Sequence, residues 1–221
     1  MTAKKLPELV SKAWTAVIEK IESGHPLSSE KTLCFLFLWE FSKLLENPEK
    51  LEFDFEYQAY SDLPGESTFL DLLIYTDEKC KVAIEFKLPH KTRAGGSDKT
   101  ENRKKIYRDL ARLNYLVNNQ VNNIQLGIFL CATDEAPYFN LGKYKKYANL
   151  ITHDGFSSQP SFETIDGLTL EFSAPFTWDG ICGDLPKKKI VGHYAWLRPL
   201  CFSKRDNLVK IESLCFRSLY E

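Results

Sequence analysis

The sequence contains no apolar segment that is long enough to cross a membrane. Its longest uninterrupted apolar run extends only from Leu33 to Trp39, whereas a membrane span takes roughly 20 residues. The first residues, MTAKKLPELVSKAW, contain no apolar signal core. We therefore expect a cytoplasmic protein that has no membrane partner.

The 6 cysteines form no C-x-x-C pair, and several of them lie in apolar surroundings such as LCFLF and FLCAT. This spacing does not suit a zinc site, and a cytoplasmic setting disfavours disulfides. We therefore expect the cysteines to be reduced and buried.

The chain also has almost no net charge, since 29 Lys and Arg residues oppose 30 Asp and Glu residues and leave -1. That balance by itself argues against a protein that holds a polyanion. From Lys87 to Arg112, however, nine basic residues stand against three acids, so this stretch carries +6 and the remainder carries -7. A local basic patch of this kind is sufficient to bind phosphate, whatever the total charge.

Repeats and low-complexity linkers are missing as well, and we expect a single α/β domain over residues 1–221. Hydrophobic periodicity predicts three helices, two strands and a hairpin. The helices are predicted over 6–22, from Ser28 or Ser29 to about Leu45, and over 101–118, the strands over 51–60 and 126–133, and the hairpin over 68–88. The second helix is apolar nearly all round, so we expect it to be buried. The strand 126–133 should be buried on both faces.

Beyond about residue 134 the pattern weakens. Residues 138–147 have the pattern of a short helix, and residues 163–172 and 189–202 have strand character. We therefore expect the core to cover about 28–133. The less regular region 134–221 is a candidate for substrate recognition.

The predicted hairpin places charged side chains on one face. Side chains alternate along VAIEFKL, so Glu85 and Lys87 share a face while apolar residues occupy the other. If the loop is residues 77–79, Asp71 lies directly opposite Glu85, with the two Cβ atoms about 4.5–5.5 Å apart. A two-residue loop would instead turn Asp71 to the opposite face.

An opposed Asp and Glu could belong to a solvated sheet face, but Asp71 is embedded in the apolar segment FLDLLIY. A buried carboxylate pair is costly unless a cation lies between the two groups. Mg²⁺ prefers oxygen ligands and is typically held by one or two carboxylates, water and substrate phosphate. We therefore predict a Mg²⁺ site at Asp71 and Glu85, where Mn²⁺ could substitute, with Lys87 beside it as a point charge.

Asp71, thirteen intervening residues and then Glu85-Phe86-Lys87 resemble the PD-(D/E)xK motif of the restriction-endonuclease-like nuclease superfamily. The order of elements over 28–133 also resembles the core of that superfamily. The resemblance implies a restriction-endonuclease-like core, with a central mixed β-sheet flanked by helices. It implies that Asp71 and Glu85 bind the metal, that the Phe86 carbonyl adds a ligand, and that Lys87 is the catalytic lysine. Leu70 stands where the motif has proline.

Many members of the superfamily carry a further acid on the helix that precedes the sheet. Two residues of the second predicted helix could take this role, Glu30 in its first turn and Glu40 deep inside it. The superfamily places its helical acid near the start of the helix, which favours Glu30. Glu30 could instead be a first-turn acid that only interacts with the helix dipole. Glu40 could instead be a partly buried acid that pairs with a lysine.

Basic residues around the hairpin are expected to contact the nucleic-acid backbone. Lys105, Arg108 and Arg112 fall on one face of the helix predicted over 101–118, although they could also form an ordinary solvated face or bridge to an acid of the site. Basic and aromatic residues interleave in the C-terminal region, where a core strand is the alternative. The residues expected to contact nucleic acid are Lys91, Arg93, Lys105, Arg108, Arg112, Lys188, Trp196 and Arg198.

These features predict a Mg²⁺-dependent nuclease that hydrolyses phosphodiester bonds of DNA, of the restriction or phage-defence type. One alternative is a non-catalytic nucleic-acid-binding or assembly module that retains the nuclease fold. Another is an RNA-cleaving toxin, because backbone contacts to DNA and RNA look alike in a sequence. A homodimer would supply the two sites that cutting both strands requires.

Overall fold

The structure is a computed structural model that describes residues 6–64, 68–75, 81–90, 98–119, 121–140, 150–157, 162–163, 167–170, 173, 175–180 and 194–203. Several predictions fall outside these residues. They concern the hairpin loop 77–79, most of the short helix 138–147, and the side chains of Lys91, Arg93 and Lys188.

Two helices form the N-terminal part, α1 over Leu6–Glu22 and α2 over Glu30–Ser42. The apolar stripe of α1 is buried, and the indole of Trp14 donates a hydrogen bond to the carbonyl oxygen of Leu197 at 3.1 Å. α2 begins after Ser29, whose hydroxyl accepts a hydrogen bond from the backbone N–H of Thr32 at 3.1 Å. This cap fixes the position at which α2 starts, and therefore the position of Glu30.

The prediction that α2 is buried all round is wrong. Phe35 and Trp39 leave 57% and 52% of their surface exposed. Only part of the circumference of α2 packs against α1 and the sheet, through residues such as Leu33 and Phe37. An apolar sequence alone does not say which side of a helix finds a partner.

The central sheet combines β1 over Glu52–Gln58, β2 over Phe69–Tyr75, β3 over Lys81–Lys87 and β4 over Ile124–Thr133. The first three strands are antiparallel neighbours, whereas β3 and β4 run parallel. A parallel pair needs a crossover connection, and the helix α3 over Lys99–Asn118 supplies it. The fold is therefore α/β with a mixed central sheet flanked by helices, as predicted.

The C-terminal part contains short strands. β5 over Phe156–Ser157 pairs with β8 over Pro175–Phe176, and β6 over Phe162–Glu163 pairs with β7 over Thr169–Leu170. The single strand predicted over 163–172 is therefore two short strands. Gly167 has a φ of 71° between them, which suits a reversal of the chain.

Three further strands extend the central sheet beyond β4. They are β9 over Trp178–Asp179, β10 over Ala195–Leu197 and β11 over Leu200–Ser203. β10 and β11 both pair with β4, and β9 pairs with β10. β4 is thereby central in the sheet, and all its residues except Gln125 are buried, as predicted.

Two apolar cores lie on opposite faces of the sheet. Residues of β3 such as Val82, Ile84 and Phe86 pack with α1 and α2, whereas Ala83 packs on the face of α3. A Cβ atom at Gly127 of β4 would lie 3.2 Å from the Leu113 Cβ of α3. The missing side chain therefore lets α3 approach the sheet closely.

The register of the hairpin agrees with the prediction. Leu72 pairs with Ile84, Leu73 with Ala83, Ile74 with Val82 and Tyr75 with Lys81. Continuing this register by one residue brings Asp71 to Glu85. The alternation of side chains along β3 sends Glu85 and Lys87 to the face that α3 covers.

The described cysteines agree with the prediction of reduced and buried thiols. Cys34, Cys131 and Cys201 are free and buried, and burial raises the pKa of the Cys201 thiol to about 12. Within the described part of the chain, no helix has both the length and the apolar character needed to cross a membrane.

Candidate active site

A cavity of about 510 Å³ lies where β2 and β3 meet the start of α2 and one side of α3. The strands contribute acids and a lysine to its walls, and α3 contributes basic side chains and one further acid. The charged residues that line it are Glu30, Asp71, Glu85, Lys87, Lys105, Arg108, Asp109 and Arg112. The four predicted catalytic residues thus lie around one space.

Asp71 and Glu85 are adjacent carboxyl groups held by neighbouring hydrogen-bond donors. The Asp71 Oδ2 atom accepts a hydrogen bond from the backbone N–H of Phe86 at 2.8 Å. The hydroxyl of Tyr60 donates to Glu85 Oε1 at 2.7 Å, and Glu85 is only 3% exposed. Burial, followed by the negative charges of Asp71 and Asp109, raises the pKa of Glu85 well above its usual range. Without a cation between the two groups, Glu85 therefore tends to retain a proton.

Lys87 is enclosed by oxygen atoms. Its Nζ atom lies 2.8 Å from Asp109 Oδ2, 3.3 Å from Glu30 Oε1 and 2.8 Å from the carbonyl oxygen of Phe86. Burial acts to lower the pKa of Lys87, but the carboxylates of Asp109 and Glu30 outweigh it and raise that pKa well above the usual value. Lys87 is therefore a fixed cation and is poorly suited to accept a proton.

The structure places Glu30 at the cavity, whereas Glu40 lies elsewhere. Glu30 Oε2 accepts a hydrogen bond from the backbone N–H of Leu88 at 3.0 Å. Burial and the nearby charge of Asp71 raise the pKa of Glu30, although Lys87 opposes this rise. Glu40 instead forms ion pairs with Lys20 and Lys43, so the interpretation of Glu40 as a lysine-paired acid is confirmed.

Asp109 was not among the predicted site residues. It is 2% exposed, and besides its contact with Lys87 it accepts a hydrogen bond from Arg108 Nε at 3.2 Å. A signal existed in the sequence, because Asp109 follows Ile106 by three residues and precedes Leu113 by four. These are the spacings of a buried helix face, where an acid needs a cationic partner.

Tyr60 was also missed, and the sequence gives no sign of its role. It lies just after β1 and is fully buried, and its hydroxyl reaches Glu85 from a distant part of the chain. The guanidinium carbon of Arg112 lies 4.8 Å from the centre of the Tyr60 ring. Tyr60 therefore contacts both Glu85 of the acid pair and Arg112 of α3.

The three basic residues predicted on α3 all border the cavity. Arg112 is buried and Arg108 is largely buried beside Asp109. A phosphate would therefore have to enter the cavity to meet either side chain. Their contact with nucleic acid stays a prediction, as does that of Lys105.

The C-terminal residues give a different result. Trp196 is 1% exposed and contacts the Trp14 ring edge to face, with 5.5 Å between the ring centres. The prediction that Trp196 contacts nucleic acid is wrong for this reason, because an enclosed ring cannot stack on a base. Arg198 is exposed and forms a two-atom ion pair with Asp179, with both distances 2.9 Å.

The oxygen atoms of the site suit a hard divalent cation. Among the described residues, no group of three or more His, Cys, Asp or Glu side chains is arranged to hold a metal ion. Asp71 and Glu85 nevertheless supply two carboxyl groups, which is the usual protein share of a Mg²⁺ shell completed by water and phosphate. Burial and then repulsion by Asp71 raise the pKa of Glu85, and a cation there would offset both effects. The Phe86 carbonyl accepts a hydrogen bond from Lys87, and its role as a metal ligand stays a prediction.

Comparisons with family models, curated proteins and solved structures found no match for this chain. The interpretation of the site therefore depends on its own residues. These are the acid pair Asp71 and Glu85, the enclosed Lys87, and the arginine-containing wall of α3.

Proposed function

We propose that this protein is a Mg²⁺-dependent DNA endonuclease of the restriction or phage-defence type, built on a restriction-endonuclease-like core. The observation that supports this proposal is the arrangement of Asp71, Glu85 and Lys87 around one cavity. The spacing of these residues resembles the PD-(D/E)xK motif, and the order of helix, strand, hairpin, helix and strand over 28–133 resembles the core of that superfamily.

The two acids are held ready for their role by the backbone of β3 and by Tyr60. The Phe86 N–H fixes Asp71, and the Tyr60 hydroxyl fixes Glu85. Donors of this kind orient carboxylate ligands and thereby increase metal affinity. When held by Asp71 and Glu85, Mg²⁺ would lower the pKa of a bound water and neutralise charge on the phosphate.

Lys87 would stabilise the negative charge that develops on the phosphate during hydrolysis. Its ammonium group is positioned by Asp109, Glu30 and the Phe86 carbonyl. Because its pKa is raised, it stays charged at neutral pH and does not serve as the general base.

The wall that α3 contributes would hold the phosphodiester backbone. Lys105, Arg108 and Arg112 of α3 line the same cavity as Asp71 and Glu85. Positive groups on this wall attract a phosphate and limit the directions from which it approaches the acid pair.

Cleavage of DNA and RNA in Mg²⁺, in Mn²⁺ and in a chelator tests the proposal. We expect cleavage of DNA by the wild type, and a loss of about 100- to 1,000-fold in each of Asp71→Asn, Glu85→Gln and Lys87→Ala. Glu40→Gln is the matched control, since Glu40 is an acid of α2 that lies away from the cavity and pairs with lysines.

Two results would contradict the proposal. One is full cleavage by all three site variants while circular dichroism shows that they are folded. The other is the absence of cleavage by the wild type together with no heat of Mg²⁺ binding, which would favour a non-catalytic module. If the wild type cleaves only RNA, the substrate is RNA instead of DNA, and the proposed roles of the residues are unchanged.

A further inference from the structure

Four large aromatic side chains are exposed together beside the candidate active site. Phe35 and Trp39 on α2 are stacked, with their ring centres 6.3 Å apart. Phe53 and Phe55 on β1 contact each other edge to face, with their ring centres 5.4 Å apart. Phe35 and Phe55 both line a groove of about 680 Å³. We call this space the aromatic groove; it is lined by Ser29, Glu30, Lys31, Cys34, Phe35, Phe55, Glu56 and Asp71.

The pairing of β1 with β2 is interrupted at the aromatic groove. Phe55 pairs with Leu72 and Tyr57 with Leu70, but Glu56 between them has a φ of 52° and does not pair with Asp71. A positive φ is uncommon for a residue with a side chain, and such positions cluster at ligand sites. The interruption lies next to one of the proposed metal ligands.

The aromatic groove is continuous with the catalytic cavity. Glu30 and Asp71 line both spaces, so they form the boundary between them. A polymer whose phosphate lies against the acid pair would therefore place a neighbouring unit in the groove.

Lysine side chains accompany the exposed rings. The ammonium group of Lys43 lies 5.6 Å from the centre of the Trp39 ring, and exposed Lys31 pairs with Glu56 at 2.8 Å on the groove wall. Exposed ion pairs contribute little stability, so a phosphate can compete for the Lys31 ammonium. Aromatic rings that alternate with cations are typical of surfaces that bind single-stranded nucleic acid.

We propose that the aromatic groove stacks unpaired bases of a single-stranded nucleic acid whose phosphate lies in the adjoining cavity. This inference rests on the proposed nuclease function and narrows its substrate to single strands or to duplexes that carry an unpaired segment. The faces of bases in a duplex are covered by their neighbours, so Phe35 and Phe55 can stack only on bases that have left the helix. A protein surface would also cover exposed rings, but the shared walls with the cavity favour the substrate.

Binding and cleavage of matched oligonucleotides test this assignment. Fluorescence anisotropy would compare a labelled single strand with a blunt duplex of the same sequence, in a Lys87→Ala background that slows cleavage. We expect Phe35→Ala and Phe55→Ala each to weaken single-strand binding by about 5- to 100-fold, with less than about twofold effect on the duplex.

Three further variants separate stacking from loss of apolar surface. Phe55→Leu keeps an apolar side chain without a ring and should resemble Phe55→Ala, whereas Phe55→Trp should restore single-strand binding. Leu44→Ala is the control, since Leu44 is exposed beyond the end of α2 and does not line the groove. This variant should bind both oligonucleotides as the parent does.

The outcomes distinguish this inference from the nuclease proposal. Equal losses on single strand and duplex would overturn the stacking role while leaving the nuclease in place. Sedimentation could instead show that Phe35→Ala and Phe55→Ala convert a dimer to a monomer, with equal losses of binding to both substrates. This result would assign the groove to a second copy of the chain and would also overturn the stacking role. Selective loss of single-strand binding without cleavage by the wild type would support the groove and reject the nuclease.

Discussion

The ammonium group of Lys87 lies 2.8 Å from the Oδ2 atom of Asp109, so the end of β3 is tied to the middle of α3. Both side chains are largely withdrawn from solvent, and Glu30 approaches the same ammonium from α2. Three elements of the fold thereby meet at one charged group. Removing any of its partners should change both the stability of the protein and the behaviour of Lys87.

Replacing Asp109 by Asn should destabilise the protein by about 3–5 kcal/mol, because it leaves a buried cation without its nearest counter-charge. The pKa of Lys87 should fall, since burial would then be opposed mainly by Glu30. The raised pKa of Lys87 stabilises the wild type fully below its unfolded value near 10.5, and this stabilisation is lost only as the pH rises through the folded pKa. Urea denaturation at neutral pH would measure the loss, and the alkaline limb of the cleavage profile should move to lower pH.

Glu101→Gln is the control for Asp109→Asn. Glu101 lies on the same helix and pairs with Lys104 at the surface, so its loss should cost less than about 1 kcal/mol. Equal stability of Asp109→Asn and the wild type, with unchanged pH profiles, would show that the contact with Lys87 has no energetic role.

The metal-free protein should lose stability as the pH rises above 4.5, the ordinary pKa of a glutamate. Burial and then Asp71 raise the folded pKa of Glu85 above this value. Proton binding therefore favours the folded state; its contribution is complete below the unfolded pKa and disappears as the pH passes the folded pKa. Denaturant titrations in a chelator should show this decline for the wild type and a smaller one for Glu85→Gln.

Glu40 contributes to the pH dependence of stability with the opposite sign, and Glu40→Gln removes this contribution. Burial acts to raise the pKa of Glu40, but Lys43 and Lys20 outweigh it and lower that pKa. The stability that Glu40 contributes is thus present above its unfolded pKa and is lost as the pH falls. A wild-type curve that matches Glu85→Gln at every pH would show that the pKa of Glu85 is not raised in the folded protein.

Magnesium should stabilise the wild type against heat. At a concentration of 100 times its Kd, a ligand that binds only the folded state adds about 2.7 kcal/mol, which corresponds to a rise of about 5–10 °C in Tm at this chain length. Asp71→Asn should show no such rise. Asp54→Asn is the control and should keep the rise in Tm, since Asp54 lies on β1 and accepts a hydrogen bond from Tyr75 of β2. Similar shifts in both variants would place the ion elsewhere.

Tyr60→Phe should weaken the binding of magnesium by about 10- to 100-fold, because Glu85 loses the hydroxyl that orients it. The ring that packs against Arg112 is retained, so the fold should persist. Tyr75→Phe removes a hydroxyl that donates to Asp54 and should leave magnesium binding unchanged. The magnesium dependence of cleavage measures both effects, and identical curves for the two variants would exclude the proposed role of Tyr60.

Ser29→Ala should cost about 1 kcal/mol by removing the cap of α2, and it should reduce cleavage because Glu30 is the next residue. Ser28→Ala is the matched control, since Ser28 contacts the Thr32 hydroxyl but does not cap the backbone N–H. Thermal denaturation and cleavage assays would separate the two variants. Normal cleavage by a destabilised Ser29→Ala would show that Glu30 does not depend on the start of the helix.

Local patterns were sufficient to predict the hairpin and the acids that it carries. Alternation predicts the shared face of Glu85 and Lys87, and a loop at 77–79 predicts the register that the paired strands adopt, because each is a property of neighbouring residues. The contacts of Asp109 and Tyr60 join elements that are far apart in the chain, and periodicity does not encode such pairings. The exposure of Phe35 likewise depends on which elements pack around α2.

The parallel pairing of β3 with β4 has a consequence for when the site forms. A hairpin such as β2–β3 closes within about 1–10 μs, so Asp71 and Glu85 become neighbours early. Lys87 acquires Asp109 only after the α3 crossover has returned to the sheet, and such long-range contacts form slowly. During folding, Asp71 and Glu85 would therefore come together before Lys87 reaches its position beside Asp109. Under the proposed function, hydrolysis would have to await completion of the core, and an incompletely folded chain would not cleave nucleic acid.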